Sequence, residues 1–425
     1  MMYEYIVNIF SVNENAGLSV TKYIFLFPMH LQCVVENEFR YDRIQKRFRT
    51  HSTCNQHREV SGPVSLIQNF SSGGPISSKL QHQSRSSVMS LTLVSMYLDL
   101  GEVDKSGGVV YTRGSYERWL LRLSRVLNPL VFYTEVPSML RLLVRERTGR
   151  EPSAGAGENN RRSADFIIGR SSVDSINAPH SESDRPDLSN RTRAFLIDRF
   201  SLRSFRDYLP RIRQVLRDPP FPRYFPNTVV PEYGATMHAK YNALERAIRA
   251  NYFGSKYFAW IDVGIFRELS LTGEAEGGGG GGADNSGGKR PTPHFGLLLP
   301  AHFDEQRVAF GQVFAPNFEL TPEQIVAKNE VWLCGCFFAA ERGVMLRFAA
   351  QYAAGVEEML ARGLSSTDQQ VLYAMLSPVG RSWHRAPTVE VQPFVRDPSH
   401  SSLNQWFFLA YLCKQHWERS QIYQS

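Results

Sequence analysis

The chain has 425 residues, and its hydrophobic share of 42% is sufficient for a sizeable core. The formal net charge is +7, but the arginines are scattered and form no dense basic run, so no nucleic-acid partner is predicted. A phosphate-bearing small ligand suits this modest basic excess equally well. The five cysteines do not indicate a disulfide framework.

Residues 1–90 are predicted to be a poorly ordered leader, because they are rich in polar residues and have few aliphatics at periodic positions. The apolar stretch 23–34 is short for a membrane span and is interrupted by Pro28, His30 and Gln32. A degraded signal anchor is the alternative interpretation. The sequence therefore predicts no clear transmembrane span, and one folded domain over residues 91–425.

Within that domain, short apolar runs that indicate buried strands alternate with amphipathic segments that indicate helices. Two stretches rich in small and polar residues, 149–190 and 273–293, are expected to be flexible low-complexity inserts. Pro210 is expected to divide the helical segment 202–216 into two. The predicted strands are 91–97, 130–133, 194–197, 257–261 and 331–339, and the predicted helices are 119–127, 137–147, 236–250, 341–362 and one that starts near Thr367.

This alternation predicts an α/β fold whose central sheet is mostly parallel and covered by helices on both faces. Ligands of such sheets bind at the carboxyl ends of the strands. Asp262 is the first candidate ligand residue, because an apolar strand runs directly into it and Gly264 then allows close approach. Its carboxylate can bind a ribose or a divalent cation. The alternative is a carboxylate that only caps the next turn.

Other candidates have structural explanations that account for the residues at least as well as a function does. Asp368 and Gln369 open a helix and could bind sugar hydroxyls, although Asp368 also suits the first turn of any helix. Lys240 could reach a phosphate, or be an ordinary exposed lysine. Gly335 interrupts an apolar strand, which indicates either close approach of a ligand or a bulge. Its neighbours Cys334 and Cys336 are expected to be two buried thiols.

The order of these pieces resembles the HtrL/YibB family of glycosyltransferase-like proteins. The resemblance runs from about Leu91 to the helix that opens at Asp368, with the two inserts left out. The matching pieces are residues 92–101 (TLVSMYLDLG), 128–135 (NPLVFYTE), Lys240, 257–264 (YFAWIDVG), 334–338 (CGCFF) and the pair Asp368 and Gln369.

The resemblance implies a single GT-A-like domain that moves a sugar from a nucleotide-sugar donor to a glycan or another hydroxyl acceptor. It implies that Asp262 holds Mn²⁺ or Mg²⁺ as the first carboxylate of an Asp-x-Asp motif, although Gly264 stands in the second position. Asp368 and Gln369 would face the donor sugar or the acceptor, and Lys240 or Arg267 would meet the phosphates. A catalytically inactive carbohydrate- or nucleotide-binding protein is the alternative, and a Golgi or endoplasmic reticulum location follows only by analogy.

Overall fold

The computed structural model describes residues 6–8, 23–25, 90–104, 110–150, 186–269, 293–383 and 388–422. The predicted leader and both predicted inserts fall almost entirely between these ranges, so the expectations about them lie outside the described residues. The chain divides into two units, Met1–Gly74 and Pro75–Ser425. In the first, Ile6–Asn8 pairs antiparallel with Tyr23–Phe25.

The second unit is built on a seven-stranded mixed sheet, in the spatial order β3-β2-β1-β4-β6-β5-β7. All neighbouring strands pair in parallel except β6, which runs antiparallel to both β4 and β5. The strands in chain order are β1 (Leu91–Tyr97), β2 (Leu130–Thr134), β3 (Thr192–Leu196), β4 (Tyr257–Ile261), β5 (Val308–Gln312), β6 (Leu333–Glu341) and β7 (Val391–Phe394).

Helices cover both faces of this sheet, and the buried apolar residues form one large cluster on each side of it. A π-helical turn, Ser204–Tyr208, runs straight into the third helix, and Pro210 lies in that helix's first turn. The helices are α1 (Arg113–Leu123), α2 (Pro137–Thr148), α3 (Leu209–Arg217), α4 (Pro231–Ala250), α5 (Pro322–Ala327), α6 (Arg342–Ala361), α7 (Asp368–Leu376), α8 (Pro378–Arg381) and α9 (Phe408–Ile422).

Helix α4 packs across β1 and β4, the two strands at the middle of the sheet. Its predicted apolar face is confirmed, since Tyr241, Leu244 and Ile248 are buried. Pro231 occupies its first turn, where a missing N–H costs nothing. Asn251 ends it in the left-handed conformation, with φ of 37°. The helix therefore begins and ends where local chemistry favours it, and its centre lies under the sheet.

The strand order reverses between β1 and β4. From β1 the chain adds β2 and β3 on one side, and it then crosses to β4 on the other side, where residues 91–94 pair with residues 257–260. Open α/β sheets bind ligands in the crevice outside the carboxyl ends of strands at such a reversal. Asp99 and Asp262 follow the two strands that flank it.

The predicted fold class is confirmed at this level: the protein is α/β, with a mostly parallel sheet between helices. Strands β5 and β7 were not predicted from the sequence, and they carry Gly311 and Pro393 inside short strands. Neither α9 nor the antiparallel direction of β6 was predicted. No helix in the described ranges is sufficiently long and apolar to cross a membrane.

Arg147 in α2 is almost completely buried, with 1% of its surface exposed. Its guanidinium donates to the Val126 and Asn128 carbonyls and to the Thr192 hydroxyl, so it joins α2 to the segment before β2 and to β3. Burial, reinforced by the nearby charge of Arg191, lowers the pKa of Arg147 to about 9. Carbonyl oxygens therefore satisfy this cation in place of a carboxylate.

We predict that Arg147→Met lowers the free energy of unfolding by about 3 kcal/mol, because several buried acceptors lose their donor. Urea unfolding measures this loss. Arg145→Met is the matched control, since that side chain lies on the same helix and is 51% exposed. Equal unfolding midpoints for the two variants would contradict the structural role of Arg147.

Candidate functional site at the carboxyl edge of the sheet

The structure brings Lys240, Asp262 and Asp368 together at the carboxyl edge of the sheet. The Lys240 Nζ lies 3.0 Å from Asp368 Oδ2 and 3.4 Å from Asp262 Oδ1. It also donates to the Gly335 carbonyl at 2.9 Å. Helix α4, the end of β4, the start of β6 and the start of α7 each contribute one member, so the cluster exists only in the folded chain.

Asp262 is the accessible carboxylate of this cluster, with a side chain that is 38% exposed. Its backbone N–H donates to the Cys336 carbonyl at 2.9 Å, which continues the β4 to β6 pairing one residue beyond the strand. Its Oδ1 accepts from the indole Nε1 of Trp260 at 2.6 Å. Within the described residues, Oδ2 has no hydrogen-bond partner, so one oxygen is oriented and available to a ligand.

Asp368 is instead enclosed, with a side chain that is 3% exposed. It is the first residue of α7, as the helix signal predicts, but it faces Lys240 and the backbone of Gly335. A Cβ at position 335 would lie 2.0 Å from Asp368 Oδ2. The close approach at Gly335 is therefore made by the Asp368 side chain. The bulge interpretation is also supported, because β6 has a register irregularity between Leu333 and Phe338.

Electrostatics keep Lys240 charged although it is buried. Burial disfavours the ammonium, but the charges of Asp262 and Asp368 outweigh it and raise the pKa of Lys240. Burial also raises the pKa of Asp368, an effect that Lys240 opposes and Asp262 reinforces. The ring of Trp260 lies 5.8 Å from the Lys240 Nζ and adds a cation–π contact.

A buried aromatic layer lies behind Lys240. His238 Nδ1 is 2.7 Å from the hydroxyl of Tyr352, and the ring of Tyr352 stacks on Tyr241 with centroids 3.5 Å apart. Burial, together with the charge of Lys240, lowers the pKa of His238 to about 3. His238 is therefore neutral in the folded protein at physiological pH, and Lys240 remains the cation of this layer.

Arg267 lies in a separate aromatic pocket. Its guanidinium lies over the rings of Phe407, Trp119 and Tyr111, at 4.5, 5.6 and 5.9 Å from their centroids. Arg267 makes no ion pair with any described residue, and its side chain is half-buried. Trp119 also contacts Gly264, where a Cβ would lie 2.9 Å from the indole ring. The structure thus links Gly264 and Arg267 through Trp119, but it does not bring Arg267 into the Lys240 cluster.

A second polar network lies at the ends of β1 and β2 and after β3. The sequence did not predict it as a site. Glu135 accepts from the Asp99 N–H and from Arg199, both at 2.7 Å. Arg113 donates to the Asp99 carboxylate at 3.1 Å. Burial opposes ionisation, but hydrogen bonds from Arg113 and Gly101 lower the pKa of Asp99 overall. The missed signal was the one used for Asp262: a carboxylate that directly follows a buried strand.

Gln369 lies beside Asp368 and is half-buried. The amide held by a buried network is the next residue, Gln370. Its Oε1 accepts from Ser366 and Thr367, and its Nε2 donates to the Glu330 carbonyl before β6. Thr367 occupies the N-cap position, but its hydroxyl serves Gln370 and does not cap the helix. This network fixes the start of α7 and thereby the position of Asp368.

The expectation of two thiols at Cys334 and Cys336 was wrong, because these residues form a disulfide. Their side chains share one face of β6, as the spacing of two predicts, and this brings the sulfur atoms together. Cys413, the free cysteine among the described residues, is buried in α9.

The Mn²⁺ or Mg²⁺ implied by the resemblance does not fit a site in which the protein supplies the ligands. Such ions need several oxygen ligands at roughly 2.0–2.2 Å, and the space between Asp262 and Asp368 is filled by the Lys240 ammonium. Among the described residues, no group of three or more His, Cys, Asp or Glu side chains is arranged to hold a metal ion.

No family model matches the sequence, and no curated protein matches it. The proposal for the function of the site therefore depends on its own residues and on the family resemblance of its sequence motifs.

We predict that Gly335→Ala destabilises the protein by about 2 kcal/mol, because the new methyl group displaces the enclosed Asp368 and with it Lys240. Denaturant unfolding measures the loss. Gly311→Ala in β5 is the matched control, since its added Cβ makes only ordinary contacts at 3.7 Å or more. If both alanines were tolerated equally, the tight packing of Asp368 on Gly335 would be disproved.

We predict that His238 makes the protein less stable in acid. The unfolded state binds a proton near the ordinary pKa of 6.5, whereas the folded state does so only near 3. Above pH 6.5 the histidine is neutral in both states and does not lower the free energy of unfolding. As the pH falls from 6.5 towards 3, only the unfolded state binds the proton, and the free energy of unfolding decreases by up to about 1.4 kcal/mol per pH unit. Unfolding free energies of wild type and His238→Gln, compared across this range, measure it. A pH-independent difference would refute the assignment.

Proposed function

We propose that this chain is a GT-A-like protein that binds a nucleotide sugar at the carboxyl edge of its sheet and transfers the sugar to an acceptor hydroxyl group. The observation that carries the proposal is Asp262, which follows β4 at the reversal of strand order. Its Oδ1 is held in place, and its Oδ2 has no hydrogen-bond partner among the described residues. The resemblance to the HtrL/YibB family assigns the same residue to the donor site.

Asp262 and the separate Arg267 pocket together offer groups that suit the parts of a nucleotide sugar. A carboxylate oxygen accepts hydrogen bonds from ribose or sugar hydroxyls. Arg267 supplies a half-buried guanidinium without an ion-pair partner among the described residues, and guanidinium groups bind phosphate oxygens in pairs. Aromatic rings pack against this guanidinium, and a less polar surrounding strengthens such a contact. Asp262 would then bind hydroxyls and Arg267 would bind the diphosphate.

In the proposed reaction the acceptor oxygen forms a bond to the anomeric carbon of the donor. The bond from that carbon to the phosphate oxygen breaks, and its electron pair leaves with the nucleoside diphosphate. The hydroxyl proton passes to a carboxylate, for which Asp262 is accessible and Asp368 is not. Negative charge grows on the leaving diphosphate, where Arg267 would stabilise it.

Binding without turnover is the second candidate function, and one observation favours it. Asp368, the residue expected to face the sugar, is 3% exposed and held by Lys240. The cluster therefore offers a ligand one accessible carboxylate, whereas glycosyl transfer also needs a group to take the acceptor proton. A protein that only recognises a sugar nucleotide needs no such second group.

We predict that Asp262→Asn weakens nucleotide-sugar binding about ten- to a hundredfold, because a charged hydrogen-bond acceptor becomes neutral while the side-chain shape is kept. Isothermal titration calorimetry with uridine, guanosine and adenosine diphosphate sugars measures it. Asp304→Asn is the matched control: Asp304 is 40% exposed, forms an ion pair with Arg307, and precedes β5 at the opposite edge of the sheet. Unchanged binding in Asp262→Asn would disprove the donor site.

The two candidate functions are separated by following the donor after it binds. Wild-type protein is incubated with the sugar nucleotide that binds in calorimetry, with and without simple saccharide acceptors. Release of nucleoside diphosphate identifies a transferase or a donor hydrolase. Stable binding without release over the same period supports the binding protein and removes the catalytic proposal.

A further inference from the structure

The ammonium group of Lys240 lies where a divalent cation would lie in this site, and it carries one positive charge there. It lies between the two carboxylates of the cluster, one accessible and one enclosed. Its side chain is 4% exposed, and it reaches this position from the middle of α4, below the edge of the sheet. A positive charge is therefore built into the fold before any ligand arrives.

The contacts of Lys240 match an ammonium group and not a metal ion. An ammonium has three donors, and Lys240 has three oxygen neighbours: Gly335 O at 2.9 Å, Asp368 Oδ2 at 3.0 Å and Asp262 Oδ1 at 3.4 Å. Mg²⁺ or Mn²⁺ would need shorter contacts and several more oxygen ligands. Carbonyl and carboxylate oxygens that could serve a metal are thus already used by the protein's own cation.

We infer that the Lys240 ammonium is the fixed cation of this site, and that the site takes a nucleotide sugar without a divalent metal ion held by the protein. This inference rests on the proposed function for the identity of the ligand. The part of the inference that concerns the metal is independent of the proposed function, because Mn²⁺ binding can be measured on the protein alone.

Lys240 positions Asp262 and neutralises the charge of the two carboxylates, and it does not contact the ligand. Without it, Asp262 and Asp368 would face each other as two like charges, which would repel the anionic diphosphate and raise the energy of the fold. With it, the accessible Asp262 keeps one fixed orientation, because Lys240 and Trp260 both hold its Oδ1. Arg267, outside this cluster, is left to bind the phosphates.

The test is electron paramagnetic resonance titration of the full chain with Mn²⁺ alone. Wild-type protein is expected to bind Mn²⁺ at this site no more tightly than about 1 mM, because one accessible carboxylate supplies few of the oxygen ligands that such an ion needs. Lys240→Met is expected to bind it at least about tenfold more tightly, because two carboxylates then lack their cation. The double variant Lys240→Met with Asp262→Asn should lose that gain.

Lys256→Met is the matched control. Lys256 also pairs with a carboxylate, that of Glu305 at 2.7 Å, but the pair is exposed and lies before β4 and β5, at the opposite edge of the sheet. This variant should bind Mn²⁺ as the wild type does. A folded Lys240→Met that gains no Mn²⁺ affinity overturns the inference.

The wild-type titration is decisive even if Lys240→Met does not fold. Tight Mn²⁺ binding by the wild type that disappears in Asp262→Asn overturns the inference directly. Calorimetry adds a second arm: nucleotide-sugar affinity with Mn²⁺ and with a chelator should agree within about twofold, and a strict metal requirement would overturn it. If no nucleotide sugar binds under either condition, the proposed function fails and the Mn²⁺ titration still decides the role of Lys240.

Discussion

The buried ammonium of Lys240 is the constraint on which the rest of the site depends. A lysine at 4% exposure is unfavourable unless opposite charges and acceptors compensate for lost hydration. Asp368, Asp262 and the Gly335 carbonyl provide them. These partners come from parts of the chain that are far apart in sequence, so the lysine is stable only when α4, β4, β6 and α7 are all in place. The cluster is therefore part of what holds the carboxyl edge together.

Several sequence features follow from that constraint. Position 335 must lack a side chain, because Asp368 occupies the space that a Cβ would need. Gln370 is buried in a hydrogen-bond network that fixes the start of α7. Small residues of α4, Ala235, Ala239 and Ala243, are fully buried and let the helix approach closely. The site and the fold thus share the same residues, and a change at one of them alters both.

Much of the fold could be predicted from the sequence, because continuous apolar runs and helical periodicity are local signals. Strands 91–97 and 257–261 have the predicted bounds. The strands β5 and β7 could not be found in this way, since they are short, contain Gly311 and Pro393, and form only by pairing with each other and with β6. The antiparallel direction of β6 could not be predicted from local sequence either, because it depends on which strands β6 pairs with in the folded chain.

The site was predictable only as single residues. The sequence singles out Asp262, Asp368, Lys240 and Gly335, but nothing in their spacing indicates that Lys240 is buried or that it points at both carboxylates. That depends on the packing of α4 under the sheet. For the same reason Asp368 and Asp262 look alike in the sequence and differ in the structure, one enclosed and the other 38% exposed.

This difference between the two carboxylates limits what chemistry the site can perform. Electrostatic catalysis depends on charges fixed before the transition state forms, and the pairing of Lys240 with Asp368 is such a fixed arrangement. Asp368 faces Gly335 and the ammonium, so its carboxylate is shielded from a ligand in this arrangement. In the proposed reaction, proton transfer would therefore fall to Asp262 or to solvent, and the enclosed pair would hold Asp262 in its orientation. A transferase built on this cluster would use a single working carboxylate, supported by an internal cation.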